Sequence, residues 1–274
     1  MRIIQISDTH LSAEFSQFTA NAEALKRNLA TSGADLVINT GDLSMNGAIR
    51  AADLALAAEW HRALPAPVLA VPGNHDVGDR AEIRFDQPIN DARLAAYRQV
   101  IGPDRWVEDI PGWRLIGLNA MLFQSGHAED KAQLDWLAEV ARVDAKVALF
   151  LHKPLCIETM DEGPWGYWTV VPERRRALMT ALSETDLRLV ASGHLHIARH
   201  RVIDGVEHVW GPAGSFVCGD IQEDLGGDRR IGYVEYDFSR DGVSHRFVFP
   251  ADTRDLPLDP VHDLIYPPLK SAAE

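Results

Sequence analysis

Val37-Ile-Asn-Thr-Gly41-Asp42 is an apolar run that stops abruptly at Gly-Asp. A short uninterrupted run of this kind reads as a parallel strand buried on both faces, and its last carboxylate emerges at the carboxyl edge of the sheet. Four other stretches repeat the arrangement. Asp8 and His10 follow Arg2-Ile-Ile-Gln-Ile6, and Asn74-His75-Asp76 follow Leu69-Ala-Val-Pro72-Gly73. His152 ends Val147-Ala-Leu-Phe-Leu151, and Gly193-His194-Leu195-His196 follows Leu187-Arg-Leu-Val-Ala191. Five apolar strands that each deliver Asp, His or Asn at one end describe a metal site along a sheet edge, since carboxylates, imidazoles and amide carbonyls are the donors such ions take. Asp42, second in the series and carrying two oxygens, is the candidate bridge between two ions.

The segments between these runs have helical or turn character. Phe18, Ala22, Leu25 and Leu29 recur at helical spacing, with Gly33 as the stop. A second helix spans about Ala48–Leu64 and is closed by Pro65 and Pro67. Strand, helix, strand, helix, strand is the pattern of βαβ units with right-handed crossovers. Residues 77–90 read as a loop beside the site. Further helices are expected near Asp91–Val100, over Lys131–Arg142 and from Pro172, a favoured first-turn position. Short strands fall around Trp106–Asp109 and Trp113–Leu118. Beyond His196 the pattern changes to short strands around Arg199–Ile203, Val206–Trp210, Ile231–Asp237 and Val243–Phe249, with turns at Asp204-Gly205 and Asp241-Gly242. This half reads as antiparallel sheet finishing a sandwich. With 274 residues and 46% apolar composition, one large domain over residues 1–250 is expected, followed by an irregular tail over 251–274.

Charge and composition exclude some classes. A net charge of −13 disfavours a protein that grips long nucleic acid along its backbone. It leaves small phosphates open, because bound divalent ions dominate their own surroundings. Met1-Arg-Ile-Ile-Gln-Ile-Ser-Asp8 turns polar too early for a signal peptide, and no run approaches the roughly 18 apolar residues of a membrane helix, so a cytoplasmic protein without a membrane partner is expected. Cys156 and Cys218 form no CxxC pattern and read as reduced structural thiols.

The five blocks in order, Asp-x-His, Gly-Asp, Gly-Asn-His-Asp, His and Gly-His-x-His, resemble the calcineurin-like metallophosphoesterases, over about residues 1–217. Their spacing looks most like the cyclic-nucleotide and glycerophosphodiester phosphodiesterase branch. The resemblance implies an α/β fold, a four-layer αββα sandwich of mixed sheets flanked by helices. It implies two divalent ions, with Mn, Fe and Zn all suited to the donor set. Asp8, His10, Asp42 and His196 would hold one ion, and Asp42, Asn74, His152 and His194 the other. Two such ions roughly 3.5–4 Å apart can share and acidify a water that attacks phosphorus. His75 would assist the leaving oxygen as general acid, and His10, Asp42, Asn74, His75 and His196 would lie against the phosphate. Asp76 is read either as a carboxylate that orients one of the histidines or as a turn residue.

The implied activity is hydrolysis of a small phosphodiester, foremost a cyclic nucleotide such as cAMP. A glycerophosphodiester or another nucleotide-type diester comes second, a monoester behind them, and a binding scaffold without chemistry last. Arg174-Arg175-Arg176 could supply the extra cations a monoester needs, or form a solvated helix face. Many relatives read His-His-Pro-Pro where this chain has His152-Lys153-Pro154-Leu155, so Lys153 is expected to change how the pocket meets its substrate. Gly163-Pro164-Trp165-Gly166-Tyr167-Trp168 is an aromatic loop read either as a lid on the substrate or as a surface loop pinned by its own rings or by a second copy of the chain in a homo-oligomer.

Overall fold

Residues 3–6 and 36–39 alternate between two buried environments, and this decides how the layers stack. In the computed structural model, which describes residues 1–83 and 86–262, every side chain of Leu36–Asn39 is buried. Ile3, Leu36 and Ile38 face a second sheet, where Leu115, Ala148, Phe150, Leu189 and Val209 meet them. Ile4, Ile6 and Val37 point the other way, toward Ala22, Leu25 and Leu29 of a covering helix. Successive strand residues point to opposite faces, so a strand with apolar neighbours on both sides needs an unbroken apolar run.

The elements follow in chain order as β1 (Arg2–Ile6), α1 (Thr19–Leu29), β2 (Leu36–Asn39), α2 (Ala51–Arg62), β3 (Val68–Ala70), α3 (Asn74–Val77), α4 (Asp91–Val100), β4 (Trp106–Ile110) and β5 (Trp113–Leu118). Next come α5 (Ala128–Val140), β6 (Lys146–Leu151), α6 (Pro172–Ala181), β7 (Asp186–Ser192), β8 (Arg199–Ile203), β9 (Val206–Trp210), β10 (Tyr233–Phe238) and β11 (Val243–Val248). One sheet has the order β11-β10-β1-β2-β3 and the other β4-β5-β6-β7-β9-β8. β1, β2 and β3 run parallel, as do β5, β6, β7 and β9. Two mixed sheets face to face with helices outside make the expected α/β sandwich. Gln5 stitches them together from the inside: its amide donates to Thr40 Oγ1 (3.0 Å) and to the Ser192 carbonyl (2.8 Å), and its oxygen accepts from Tyr236 Oη (2.7 Å).

One local reading changes. The strands after His196 do not form one antiparallel sheet. β9 extends the second sheet parallel to β7, with β8 antiparallel at the edge, while β10 crosses back to pair antiparallel with β1. Pairing partners are chosen by burial across the sandwich, which a strand's own sequence does not record. Asn74–Val77 forms the one-turn helix α3, which overlaps the expected 77–90 loop only at Val77. Within the expected tail, Pro257 bridges to Val217, Leu258 packs with Phe18, Met45 and Phe216, and Arg254 accepts and donates backbone hydrogen bonds with Asn21. The rest of that tail, 263–274, lies outside the described residues. Among the described residues no helix is long and apolar enough to cross a membrane.

Candidate metal centre

The turns that leave β1, β2, β3, β6 and β7 lie side by side at one edge. The ladder continues past the strand ends, with Asp8 N donating to the Gly41 carbonyl (2.9 Å), His10 N to the Asp42 carbonyl (3.0 Å) and Gly193 N to the His152 carbonyl (2.9 Å). Asp8, His10, Asp42, His194 and His196 all have φ between 43° and 70°, a left-handed conformation that costs an L residue roughly 1 kcal/mol or more. Two glycines are required by closeness rather than by φ. A Cβ on Gly73 would land on the Asp42 carboxylate, and one on Gly193 would strike Ser7 and Asp8. Gly-Asn and Gly-His are therefore spelled that way because each turn packs on the carboxylate of another strand.

All seven expected ligand residues are buried, and Asp8, His10, Asp42, His152, His194 and His196 come together in overlapping sets. Asp8 Oδ1 lies 3.3 Å from His196 Nε2 and 3.9 Å from His10 Nε2, and the two imidazole nitrogens are 3.3 Å apart. Asp42 Oδ2 lies 3.7 Å from His10 Nε2 and 3.2 Å from His152 Nε2, which is 3.1 Å from His194 Nδ1. Asp42 thus reaches both groups with one oxygen, not two, because its Oδ1 accepts the His75 backbone N–H at 2.8 Å.

The tautomers follow from carbonyls, which only accept. His196 Nδ1 donates to the Phe216 carbonyl (2.7 Å) and His152 Nδ1 to the Thr40 carbonyl (2.8 Å), leaving each Nε2 facing the centre. His194 is reversed: Nε2 donates to the Tyr167 carbonyl (3.0 Å), leaving Nδ1 inward. His75 Nδ1 donates to the Met45 carbonyl (2.6 Å). Backbone anchors of this kind fix a metal-binding imidazole.

These donors fit divalent ions. Donor atoms each about 2.0–2.2 Å from one ion sit roughly 3–4 Å from one another, the spacing found. Asp8 Oδ1 and Asn74 Oδ1 are buried without a hydrogen-bond donor, a cost that a cation would remove. Three sets converge: Asp8, His10 and His196; Asp42, His152 and His194; and, in addition, His10, Asp42 and His75.

The electrostatics of the bare site point the same way. Burial alone would raise the Asp8 and Asp42 carboxyls, yet His196 beside Asp8, and His152 and His75 beside Asp42, hold them well below the usual range. Burial lowers His152, but Asp42 outweighs it and lifts the imidazole to about 9. Burial also lowers His196, and Asp8 overrides it to push that ring up. His10 and His194 are driven well down, first by burial and then by neighbouring histidines. A proton and a metal ion would therefore compete for the same nitrogens.

Some neighbours have other duties than expected. Asp76 orients no histidine. It accepts from Leu43 N (3.1 Å), Ser44 N (2.9 Å), Ser44 Oγ (2.6 Å) and Gly73 N (3.0 Å), clamping the turn after β2 to the turn after β3. Burial and then the Asp42 charge raise its pKa to about 6. Lys153 is buried, pairs with Asp79 at 2.6 Å and places its ammonium 4.9 Å over the Tyr167 ring. Arg174 pairs with Asp130 (2.8 Å), and the buried Arg175 donates to the Leu155 carbonyl (2.9 Å). Both thiols are free, and burial lifts each to about 12, away from thiolate ligation. Sequence reasoning passed over Phe216, which anchors His196 by its carbonyl and packs 4.8 Å from His10 and 4.6 Å from His196. A carbonyl contact leaves no mark on residue type. It also passed over Gln222. A cavity of about 240 Å³ runs from His10, Asp42, His75 and His196 to Trp168, Phe216, Leu258 and Gln222, whose buried Oε1 has no hydrogen-bond donor.

Comparison with known proteins agrees with this construction. A protein of a Synechococcus species named "Probable cyclic nucleotide phosphodiesterase" is 28% identical over 209 residues, 72% of this chain and 74% of the relative. A protein of Arcobacter nitrofigilis named "Probable glycerophosphodiester phosphodiesterase" is 27% identical over 175 residues, 59% of this chain and 61% of the relative. The crystal structure of a dimetal phosphatase from Danio rerio superposes with a TM-score of 0.61 over 93% of this chain and 98% of that one, at 13% identity, a likeness of fold. The model of the family described as calcineurin-like phosphoesterase matches residues 1–198, which include every residue of the centre described above except Phe216, Gln222 and Leu258. The chain belongs to the calcineurin-like phosphoesterase family.

Proposed function

We propose that the chain is a dinuclear-metal phosphodiesterase whose substrate is a cyclic nucleotide such as cAMP. Membership of the family, with phosphodiesterase-named relatives, makes it a metal-dependent phosphoric diester hydrolase. The ligand assignment and the substrate are the proposal. Asp8, His10, Asp42 and His196 would hold one divalent ion and Asp42, Asn74, His152 and His194 the other, with Asp42 shared. When bound, such ions supply Lewis acidity toward phosphoryl oxygens and acidify water.

The chain's own residues account for the remainder. His75 keeps its Nδ1 on the Met45 carbonyl, and its Nε2 would deliver a proton to the leaving oxygen. His10, Asp42, Asn74, His75 and His196 would surround the phosphate, and Trp168, Phe216 and Leu258 would take the organic group.

The observation that carries the diester reading is the lining of this cavity: among the described residues it includes no lysine or arginine. A monoester dianion calls for additional cations, and the candidates Arg174 and Arg175 are tied to Asp130 and Leu155. An end that offers the Trp168 and Phe216 rings together with the Gln222 amide, beside Asp259 and His262, suits a nucleobase better than glycerol. The Arcobacter relative keeps a glycerophosphodiester as the second reading.

Metal-reconstituted protein should be assayed on 3′,5′-cAMP, 2′,3′-cAMP, glycerophosphocholine and p-nitrophenyl phosphate. We expect kcat/KM on a cyclic nucleotide to exceed that on glycerophosphocholine by at least about tenfold. The reverse ranking would install the second reading, and turnover of the monoester alone would overturn both.

A further inference from the structure

Two residues at one end of the centre owe their orientation to a single residue outside the five strand-end blocks, through its hydroxyl and its carbonyl. Asn74 Nδ2 donates to Tyr167 Oη at 3.0 Å, and His194 Nε2 donates to the Tyr167 carbonyl at 3.0 Å. The Tyr167 ring also packs on the His194 imidazole, with centroids 4.6 Å apart.

Each contact settles a choice that shape leaves open. The oxygen and nitrogen ends of an amide have nearly the same size, so the hydrogen-bond partner decides which end faces where. With Nδ2 engaged by Tyr167, the end left toward the centre is Oδ1, the buried atom that lacks a donor. A carbonyl accepts only, so His194 carries its proton on Nε2 and presents Nδ1.

Tyr167 is itself held from behind. Lys153 lies 4.9 Å over its ring and is pinned by Asp79 at 2.6 Å, both charges being buried. Lys153 does not line the cavity and meets the site through the Tyr167 ring.

We infer that Tyr167 is a positioning residue for one of the two ions, because it sets the donor atoms of both Asn74 and His194. This rests on the ligand assignment proposed above. The ion held by Asp8, His10 and His196 has no such dependence, since His196 is anchored by Phe216. Affinity for one ion is thereby coupled to seating of the 163–168 loop, and coupling of this kind is reciprocal.

The test is a titration of metal-stripped full-length protein with Mn²⁺. Wild type should bind two equivalents. Tyr167→Phe keeps the ring and the carbonyl but loses the hydroxyl, and should weaken one equivalent by about tenfold or more while leaving the other within about twofold. In an Asn74→Asp background either carboxylate oxygen can face the ion, so the same change should cost at most about threefold. Unchanged affinity for both ions in Tyr167→Phe overturns the inference. So does equal weakening in both backgrounds, which would mean only that the loop had loosened. Undiminished binding of two ions by Asn74→Ala would overturn the ligand assignment, and the inference with it.

Discussion

The slab of side chains between the two sheets and the row of residues at their carboxyl edge are built by opposite rules. In the slab, Ile3, Ile38, Leu115, Phe150 and Tyr236 are buried in ordinary extended backbone and meet apolar neighbours. At the edge, five non-glycine residues hold positive φ, two buried oxygens lack donors, and two carboxylates face each other across histidines. Strain at five such positions is on the order of 5 kcal/mol, comparable to the net stability of a whole domain. The edge persists because the slab over-determines it. Stability and chemistry are therefore segregated, and substitutions in the two regions should fail in different ways.

The largest effects come from one residue of each. Asp42→Ala removes the one carboxylate among the described residues that reaches both histidine groups, and turnover should fall by at least about 10⁴-fold while the fold, read by circular dichroism, is kept. Phe150→Ala should do the converse. It empties a fully buried ring site against Trp106 and Tyr236 and should cost about 3–5 kcal/mol in denaturant unfolding, with activity per folded molecule nearly intact. An Asp42→Ala protein with two bound ions and normal turnover would erase the distinction from one side. A Phe150→Ala protein of normal stability would erase it from the other.

His75 sharpens the comparison within the edge, because it lies close enough to His10 and Asp42 to be a ligand as well as an acid. As a general acid, His75→Ala should keep both ions and slow a diester with a poor leaving group by roughly 10²–10⁴. A p-nitrophenyl leaving group needs little protonation and should lose far less. Equal losses on the two substrates would make His75 a phosphate-orienting group, and loss of an ion would make it a ligand.

The slab and the strand ends were legible in the sequence for one physical reason. A strand buried on both faces must be continuously apolar, so Val37–Asn39 or Val147–Leu151 stands out, and any Asp or His directly after it is conspicuous. The four-layer sandwich was implied by the resemblance that these blocks carry, and Asp8, His10, Asp42, His152, His194 and His196 lie in overlapping sets at the strand ends. What stayed hidden acts through the backbone or through pairing. Phe216 and Tyr167 orient histidines with carbonyls, Asp76 receives peptide N–H groups, and β9 chooses β7 across the sheet. None of these contacts requires a particular residue type nearby in sequence.

The smallest expected effect lies where the two regions meet. His61, to which the sequence assigned no role, sits fully buried on α2 and supports the edge from behind. Its Nδ1 donates to the Ala57 carbonyl (2.7 Å) and its Nε2 accepts from Asn39 Nδ2 (2.7 Å), while Asn39 Oδ1 receives the Gly41 N–H (2.8 Å) just before Asp42. Protonating Nε2 would set an N–H against the Asn39 amide hydrogens. Burial accordingly lowers the His61 pKa from 6.5 to about 4. A pKa depressed in the folded state means that the unfolded chain takes up the proton first. The stabilisation is thus complete above pH 6.5 and is lost as pH falls toward 4, up to about 3 kcal/mol from this group. His208, lowered to about 4 by burial and then by His200, adds to the same window. In metal-free protein His61 and His208 should therefore lower the unfolding free energy between pH 6.5 and 4.5, while Asp76, whose carboxyl is raised to about 6, works in the opposite direction over the lower part of that window. His61→Gln, whose side-chain oxygen can still accept from Asn39, should flatten that drop by about 2 kcal/mol. Parallel curves for the two proteins would show that His61 is charged in the fold, and that the edge is not held by a neutral histidine reaching it from the core.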